Sequence, residues 1–267
     1  MNKEKRERNP ILEQIKTHKS VFVLYVILRL CIGGILIKEI LEKDYQYVFL
    51  CVLVLLLFIV PNIIERTAMV RVPDLLQVII LLFIFAAEIL GEVQEFYVHI
   101  SGWDTVLHTL NGFIAAAIGL SLVEILNNSK KIQFRLSPFF VVAVAFCFSM
   151  TVGVIWEFIE FGCDVFFHLD MQKDTVIHSI SSVALAPDGG NTVWQIKNIS
   201  RTVVNGQVLN IEGYLDIGLY DTMKDLLVNF IGALFFSIAG YFYIKSGGKK
   251  NGVIKGLIPK LIDRKKK

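Results

Sequence analysis

Residues 138–167 read PFFVVAVAFCFSMTVGVIWEFIEFGCDVFF. The nineteen residues from Pro138 to Trp156 carry no charge, and then Glu157, Glu160 and Asp164 arrive while the apolar run continues. A run of this length predicts a helix that crosses a bilayer, since a strand or a core helix of a soluble domain needs far less. The acids at its end are the anomaly, because a charged group at the centre of a span costs at least about 2.5 kcal/mol.

Five more apolar blocks reach spanning length on either side: Ser20–Ile37, Tyr47–Ile64, Leu75–Tyr97, Thr105–Leu126 and Thr222–Ile244. The chain has 267 residues, 54% hydrophobic and 19% charged, with a mean hydropathy of +0.59. A soluble domain of this size carries more charge. The fold class predicted is therefore all-α, a polytopic membrane helix bundle of six spans. It divides into a basic arm at 1–19, one membrane domain at 20–244 and a basic amphipathic tail at 245–267. The first block is long enough to span and lacks a small-residue cleavage pattern, so it is expected to remain as a helix.

Lysine and arginine give the expected orientation. With the N-terminus inside, the arm holds six, the second-to-third connection two, the fourth-to-fifth three and the tail nine. The opposite segments hold six, and Arg29 lies within the first span. Positive charge collects on the cytoplasmic side, so a bacterial cytoplasmic membrane protein with both termini cytoplasmic is expected. Basic tails beside apolar helices touch anionic lipid, so membrane lipids are the expected partners and nucleic acid is not. Cys31, Cys51, Cys147 and Cys163 show no CxxC spacing and read as apolar fillers rather than a disulfide or zinc framework.

The segment from His168 to Leu219 is the one long outer connection. Asn205-Gly206 signals a two-residue hairpin. Val193–Ile196 and Val208–Ile211 read as β-like runs around it, and a small hairpin or lid is expected. In the tail, Val253, Ile254, Leu257, Ile258, Leu261 and Ile262 recur at helical spacing among lysines. That pattern predicts a short amphipathic helix on the inner surface.

Four spans carry acids in stripes. The third ends with Glu88, Glu92 and Glu95, at i, i+4 and i+7. The fourth begins Trp103-Asp104 with His108 one turn on. The fifth ends with Glu157, Glu160 and Asp164. The sixth begins Tyr220-Asp221, with Asp225 and Asn229 each a turn further. Spans three and five run outward and spans four and six run inward, so all four stripes are expected at one depth in the outer half of the bilayer. Trp103–Ala116 (WDTVLHTLNGFIAA) and Tyr220–Ala233 (YDTMKDLLVNFIGA) align without gaps. In that alignment Asp104 meets Asp221 and His108 meets Asp225. Spans three and four with five and six thus read as a parallel repeat, whose site would lie at the repeat interface.

Carboxylates so crowded require protons or cations. An oxygen-rich set with one histidine suits Mg²⁺ or Mn²⁺ and suits Zn²⁺ less. The expected metal ligands are Glu88, Glu92, Asp104, His108, Glu157, Glu160, Asp221 and Asp225. Of these, Asp104, His108, Glu157 and Asp225 are the expected catalytic groups. Asp104 and Asp221 also suit helix first turns, and Glu95 and Asp164 suit solvated helix ends. Trp103, Trp156 and Tyr220 read as interfacial anchors, and Gly112 and Gly232 as points of close helix packing. Arg29 has two candidate roles, snorkelling or pairing with Glu39 or an interior acid. Asp174 and His178 repeat the D-x-x-x-H spacing in the loop.

The set Trp103-Asp104, His108, Gly112, then Trp156-Glu157-Phe-Ile-Glu160, then Tyr220-Asp221-Thr-Met-Lys-Asp225 and Gly232 resembles the YjdF-like family of bacterial inner-membrane proteins. It is more distantly similar to VanZ-like membrane proteins, which are associated with tolerance to glycopeptide antibiotics. The resemblance implies an outer-leaflet role in envelope metabolism and carries Asp104, His108, Glu157, Glu160, Asp221 and Asp225 as pattern positions. The reading is a metal-assisted, membrane-embedded hydrolase or transferase acting on a lipid-linked or phosphate-bearing envelope substrate. The alternatives are a proton- or cation-coupled transporter and a non-catalytic scaffold whose charges specify packing.

Overall fold

The computed structural model describes residues 19–68, 70–127, 136–247 and 252–261. The basic arm, apart from Lys19, lies outside these residues. Six helices are long and apolar enough to cross a membrane: Lys19–Glu42, Tyr45–Glu65, Asp74–Val93, Trp103–Asn127, Pro138–Phe167 and Leu219–Lys245. They match the six apolar blocks, and the chain is a polytopic helical membrane protein. Large side chains left exposed along them, such as Leu41, Phe139 and Phe166, are the lipid-facing residues a span requires.

In chain order the elements begin with α1 (Lys19–Glu42), α2 (Tyr45–Leu57), α3 (Val60–Ala68) and the two-residue strand β1 (Val70–Arg71). Then come α4 (Asp74–Ile84), a π-helical segment (Phe85–Val93), α5 (Phe96–His99), α6 (Trp103–Asn127) and α7 (Pro138–Phe167). Six short strands follow, β2 to β7, before α8 (Leu219–Lys245), α9 (Gly252–Lys255) and β8 (Lys260–Leu261). The second span is two helices because Pro61 brings no N–H to the ladder; the chain turns at Phe58–Ile59 and resumes as α3. The third span changes from α to π geometry at Phe85 and stops at Glu95, whose φ is 56°.

The chain forms two compact units, Met1–Thr151 with Val228–Lys267, and Val152–Leu227. In the first unit, one apolar core joins α1 and α2 to the third span through Ile32, Cys51, Val54, Phe58, Leu81 and Ile89. A second core gathers around α6 and includes Leu76, Ala117, Leu120, Val141, Ala145 and Phe236. Here α6 and α8 cross with their backbones touching. A Cβ at Gly112 would collide with the Asn229 carbonyl, and one at Gly232 with the Thr109 carbonyl. Close packing at these glycines is what the small residues predict. Polar groups at the crossing satisfy one another. Asn111 Nδ2 donates to Asn229 Oδ1 (3.2 Å), Asn229 Nδ2 reaches Met150 Sδ (3.6 Å), and Ser149 Oγ donates to the Gly112 carbonyl (2.7 Å).

The tail departs from expectation. The sequence predicts a surface amphipathic helix, but α9 is a single turn, and β8 pairs with β1, Val70 opposite Leu261 and Arg71 opposite Lys260. Ile254, Leu257 and Ile258 are buried in the second core. Helical spacing of apolar residues suits a lipid surface or a protein groove equally, and here Val72, Leu76 and Tyr243 belong to the same core.

In the second unit, β2 (Val176–Ile177) pairs with β7 (Tyr214–Leu215), and β3 (Ser179–Ser182) with β4 (Trp194–Lys197), all antiparallel. The expected hairpin forms, β5 (Val203–Val204) against β6 (Gln207–Val208), with Asn205 and Gly206 at φ 51° and 82°. Its strands are shorter than expected. A two-residue turn fixes the register to its immediate neighbours, so Trp194–Lys197 finds β3 instead.

Replacing Gly232 with valine forces the α6–α8 crossing apart and is expected to cost at least about 1–3 kcal/mol. Gly33→Ala, where nothing lies within 4 Å of the new methyl, should leave stability unchanged or slightly raised. Thermal unfolding of the two detergent-purified variants measures the difference.

Candidate functional site

The first unit supplies a histidine–carboxylate pair. Asp104 lies in the first turn of α6 and His108 one turn deeper, with His108 Nε2 3.3 Å from Asp104 Oδ1. His108 is buried at 8% exposure. An adjacent carboxylate fixes the ring orientation and favours a proton on the facing nitrogen, leaving the other nitrogen to accept a proton or bind a metal.

Glu88 and Glu92 both lie on the π-helical segment and are half-buried. Such i→i+5 geometry is rare and recurs at functional sites. Trp103, expected as an interfacial anchor, packs edge-on against Phe96 and donates from Nε1 to the Ala86 carbonyl (3.3 Å). Glu95 is exposed and pairs with His99 (3.1 Å), as a solvated helix end does. Arg29 lies over the Tyr25 ring at 4.2 Å, while buried Glu39 pairs with Lys38 (2.9 Å). The cation on the first span is thus held by an aromatic face rather than by Glu39.

The second unit carries acids of two kinds. Glu157, Glu160 and Asp225 are buried, at 4%, 8% and 2% exposure. Trp156 Nε1 donates to Glu160 Oε1 (2.8 Å), so this tryptophan orients a buried acid. Gln172 bridges the two helices of the unit: its amide donates to Thr222 Oγ1 (2.6 Å) on α8 and lies 3.5 Å from Glu157 Oε2 on α7. Lys224 reaches both Asp221 (3.2 Å) and Asp225 (3.6 Å).

The other acids bind backbone. Asp164 accepts from the N–H groups of Met171 (2.6 Å) and Gln172 (2.8 Å), and Asp221 from that of Lys173 (2.8 Å). Asp164, expected as a solvated helix end, and Asp221, expected as a ligand or a first-turn charge, both clamp the strap that leads from α7 into the loop. Asp174 and His178 do not form a pair of their own: both are exposed, and His178 Nδ1 is 3.1 Å from the Ile199 carbonyl.

The sequence reading passed over Asp216, which organises the other end of the loop. Its carboxylate accepts from the N–H groups of Thr175 (2.7 Å), Gly218 (3.4 Å) and Tyr220 (2.7 Å). The signal was present in Asp216-Ile-Gly218-Leu-Tyr220, a short acidic side chain just before an apolar helix. Burial opposes its ionisation, but the N–H donors from Thr175, Tyr220 and Gly218 outweigh burial and hold its pKa below the ordinary carboxylate range. Asp174 moves the other way, raised by burial and by the nearby charges of Asp170, Asp216 and Asp164.

The Asp216 pKa lies lower in the folded chain than in the unfolded one, near 3.9. Its contribution to this junction is therefore complete above the unfolded value and disappears as pH falls through the folded one. Hydrogen exchange at the Thr175 and Tyr220 amides should accelerate, relative to intrinsic rates, on acidification below about pH 4. In Asp216→Asn the acceleration should already be present at neutral pH. Equal protection in both proteins at neutral pH would contradict this role.

The family model described as "Predicted membrane protein (DUF2238)" matches residues 23–246, which takes in all six candidate spans except the first residues of α1. No curated protein and no solved structure matches the chain.

Proposed function

We propose that this chain, which belongs to the DUF2238 family of predicted membrane proteins, holds a divalent cation with Asp104, His108, Glu157, Glu160 and Asp225. In this reading the cation serves chemistry on a lipid-linked or phosphate-bearing envelope substrate. The observation that carries the proposal is the α6–α8 crossing. Gly112 packs on Asn229 within the first unit. His108 and Asp225 each lie four residues before that contact on their own helices, one turn and about 6 Å of rise. Alternating spans give α6 and α8 the same direction. The aligned repeat expects the two side chains, as counterparts, to leave the crossing at one level, and their equal spacing from it supports that reading.

The fifth span adds support. Met150 touches Asn229, and Glu157 follows seven residues later on the same stripe, with Glu160 one turn beyond. Buried carboxylates at this depth need a compensating cation or proton. Carboxylate oxygens with one imidazole suit Mg²⁺ or Mn²⁺, and Zn²⁺ less. A bound cation would polarise a phosphate oxygen and lower the pKa of a bound water. His108, oriented by Asp104, would be the general base or acid. Glu88 and Glu92 extend the acidic wall, and Asp221 supports the site through the 171–173 strap.

The excess of lysine and arginine in the arm, the tail and two of the connections supports both termini in the cytoplasm. The site would then lie in the outer half of a bacterial cytoplasmic membrane. The YjdF-like and VanZ-like resemblance supports an envelope substrate.

The test is metal content of protein purified without chelator, beside Asp104→Asn, Glu157→Gln and Asp225→Asn variants whose unfolding temperatures are measured in parallel. The intact protein should hold one Mg²⁺ or Mn²⁺. Each variant should weaken binding by about tenfold or more with little change in unfolding. A metal-free protein that also fails to take up added Mg²⁺, Mn²⁺ or Zn²⁺ would overturn the proposal in favour of proton-coupled chemistry. Variants that unfold without any metal having been bound would favour the scaffold reading.

A further inference from the structure

We propose that residues 252–261 form an intramolecular plug that seals one end of the helix core around α6. The seal closes this end to water, which makes any site among the spans one-sided. The inference stands on the first unit alone and does not depend on the bound cation.

The plug has two parts. The first is an apolar turn. Gly252 to Lys255 form α9, and the turn continues through Gly256 N–H to the Gly252 carbonyl (3.1 Å) and Leu257 N–H to the Ile254 carbonyl (2.9 Å). It presents Ile254, Leu257 and Ile258, which are 6%, 2% and 2% exposed. They share a core with Val72, Leu76, Val123, Val142 and Tyr243, contributed by the connection before α4 and by α4, α6, α7 and α8. The second part is a strand: Pro259, without an N–H, ends the turn, and β8 pairs with β1.

The receiving edge is fixed from the other side. Glu65 on α3 accepts from the Val72 N–H (2.7 Å) and from the Gln77 amide (3.2 Å), and Gln77 also donates to the Val72 carbonyl (3.1 Å). Strand β1 is thus tied to α3 and α4. A terminal segment that only rested on lipid headgroups would bury its apolar side chains in the interface, not among four helices.

The consequence is functional. A transporter needs its site exposed alternately to the two sides of the membrane. With the plug seated, water has no way into the core around α6 from this end, whereas a catalyst drawing substrate from one leaflet needs no such route.

The experiment uses the full chain in detergent, with Cys31, Cys147 and Cys163 changed to alanine and buried Cys51 kept as an internal reporter. Val70→Cys with Leu261→Cys, which face each other across β1 and β8, should form an intramolecular disulfide on mild oxidation. Separately, Val72→Cys should react slowly with a charged maleimide. In the Leu257→Asp background it should react about tenfold faster or more, and in Leu257→Ala by an intermediate factor, while Cys51 stays unreactive. Absence of the cross-link would overturn the plug, as would fast labelling of Val72→Cys in the otherwise intact chain. If Leu257→Asp also exposes Cys51 the fold has opened generally, and the cross-link and the Leu257→Ala rate then decide.

Discussion

The backbone crossing of α6 and α8 is the contact on which the rest depends. Helices in a bilayer gain little from leaving lipid for one another, since both environments are apolar; what holds them is close packing and hydrogen bonds that lipid cannot supply. Gly112 and Gly232 allow the approach, and Asn111, Asn229 and Ser149 convert it into a set of satisfied polar groups. The T-shaped pairs Phe113–Phe236 and Phe146–Phe230 complete the lock on either side. Because the crossing involves fully buried Asn229, a slip by one residue would strand an amide in the core at a cost of about 1–3 kcal/mol. The register of the two helices within the first unit is thereby fixed.

The acids divide along the same axis. Asp164, Asp216 and Asp221 lie at helix ends and accept backbone N–H groups of the loop. They make the strap and the start of α8 a defined structure rather than a loose connection. Within the same unit, Glu157, Glu160 and Asp225 lie further along their helices from the loop and are buried. The loop acids lend the deeper ones a rigid frame, and Gln172 is the link: its backbone is clamped by Asp164 while its side chain lies between Thr222 and Glu157.

What could be read from the sequence follows from how local each signal is. Long apolar blocks announce the spans by themselves, and Asn205-Gly206 announces its hairpin because a two-residue turn needs no partner elsewhere. The place of each acid along its own helix was also legible, since helical rise converts sequence position into height. The π geometry of Phe85–Val93 was not, because the composition of that run suits an α-helix equally and only packing selects between them. The pairing of β4 with β3 was hidden for a related reason: Trp194–Lys197 has several strands within reach, and register is decided by which edge is free. The tail was misread because Ile254, Leu257 and Ile258 carry no label saying whether lipid or protein covers them. Asp216 was overlooked since an acid in a polar loop looks ordinary until its three donors are in place.

A scaffold reading accounts well for the loop acids and poorly for the deeper ones. Packing specificity in this chain already has a sufficient source in Gly112, Asn229 and Gly232, which are neutral. Buried ions are a costly way to add more, because apolar replacements of similar volume are often neutral or stabilising. Lys224 does reach Asp225, from a half-exposed position. On the reading proposed above, the buried carboxylates and the imidazole serve what they bind or the protons they move, because the packing of the helices they sit on is already specified by neutral residues.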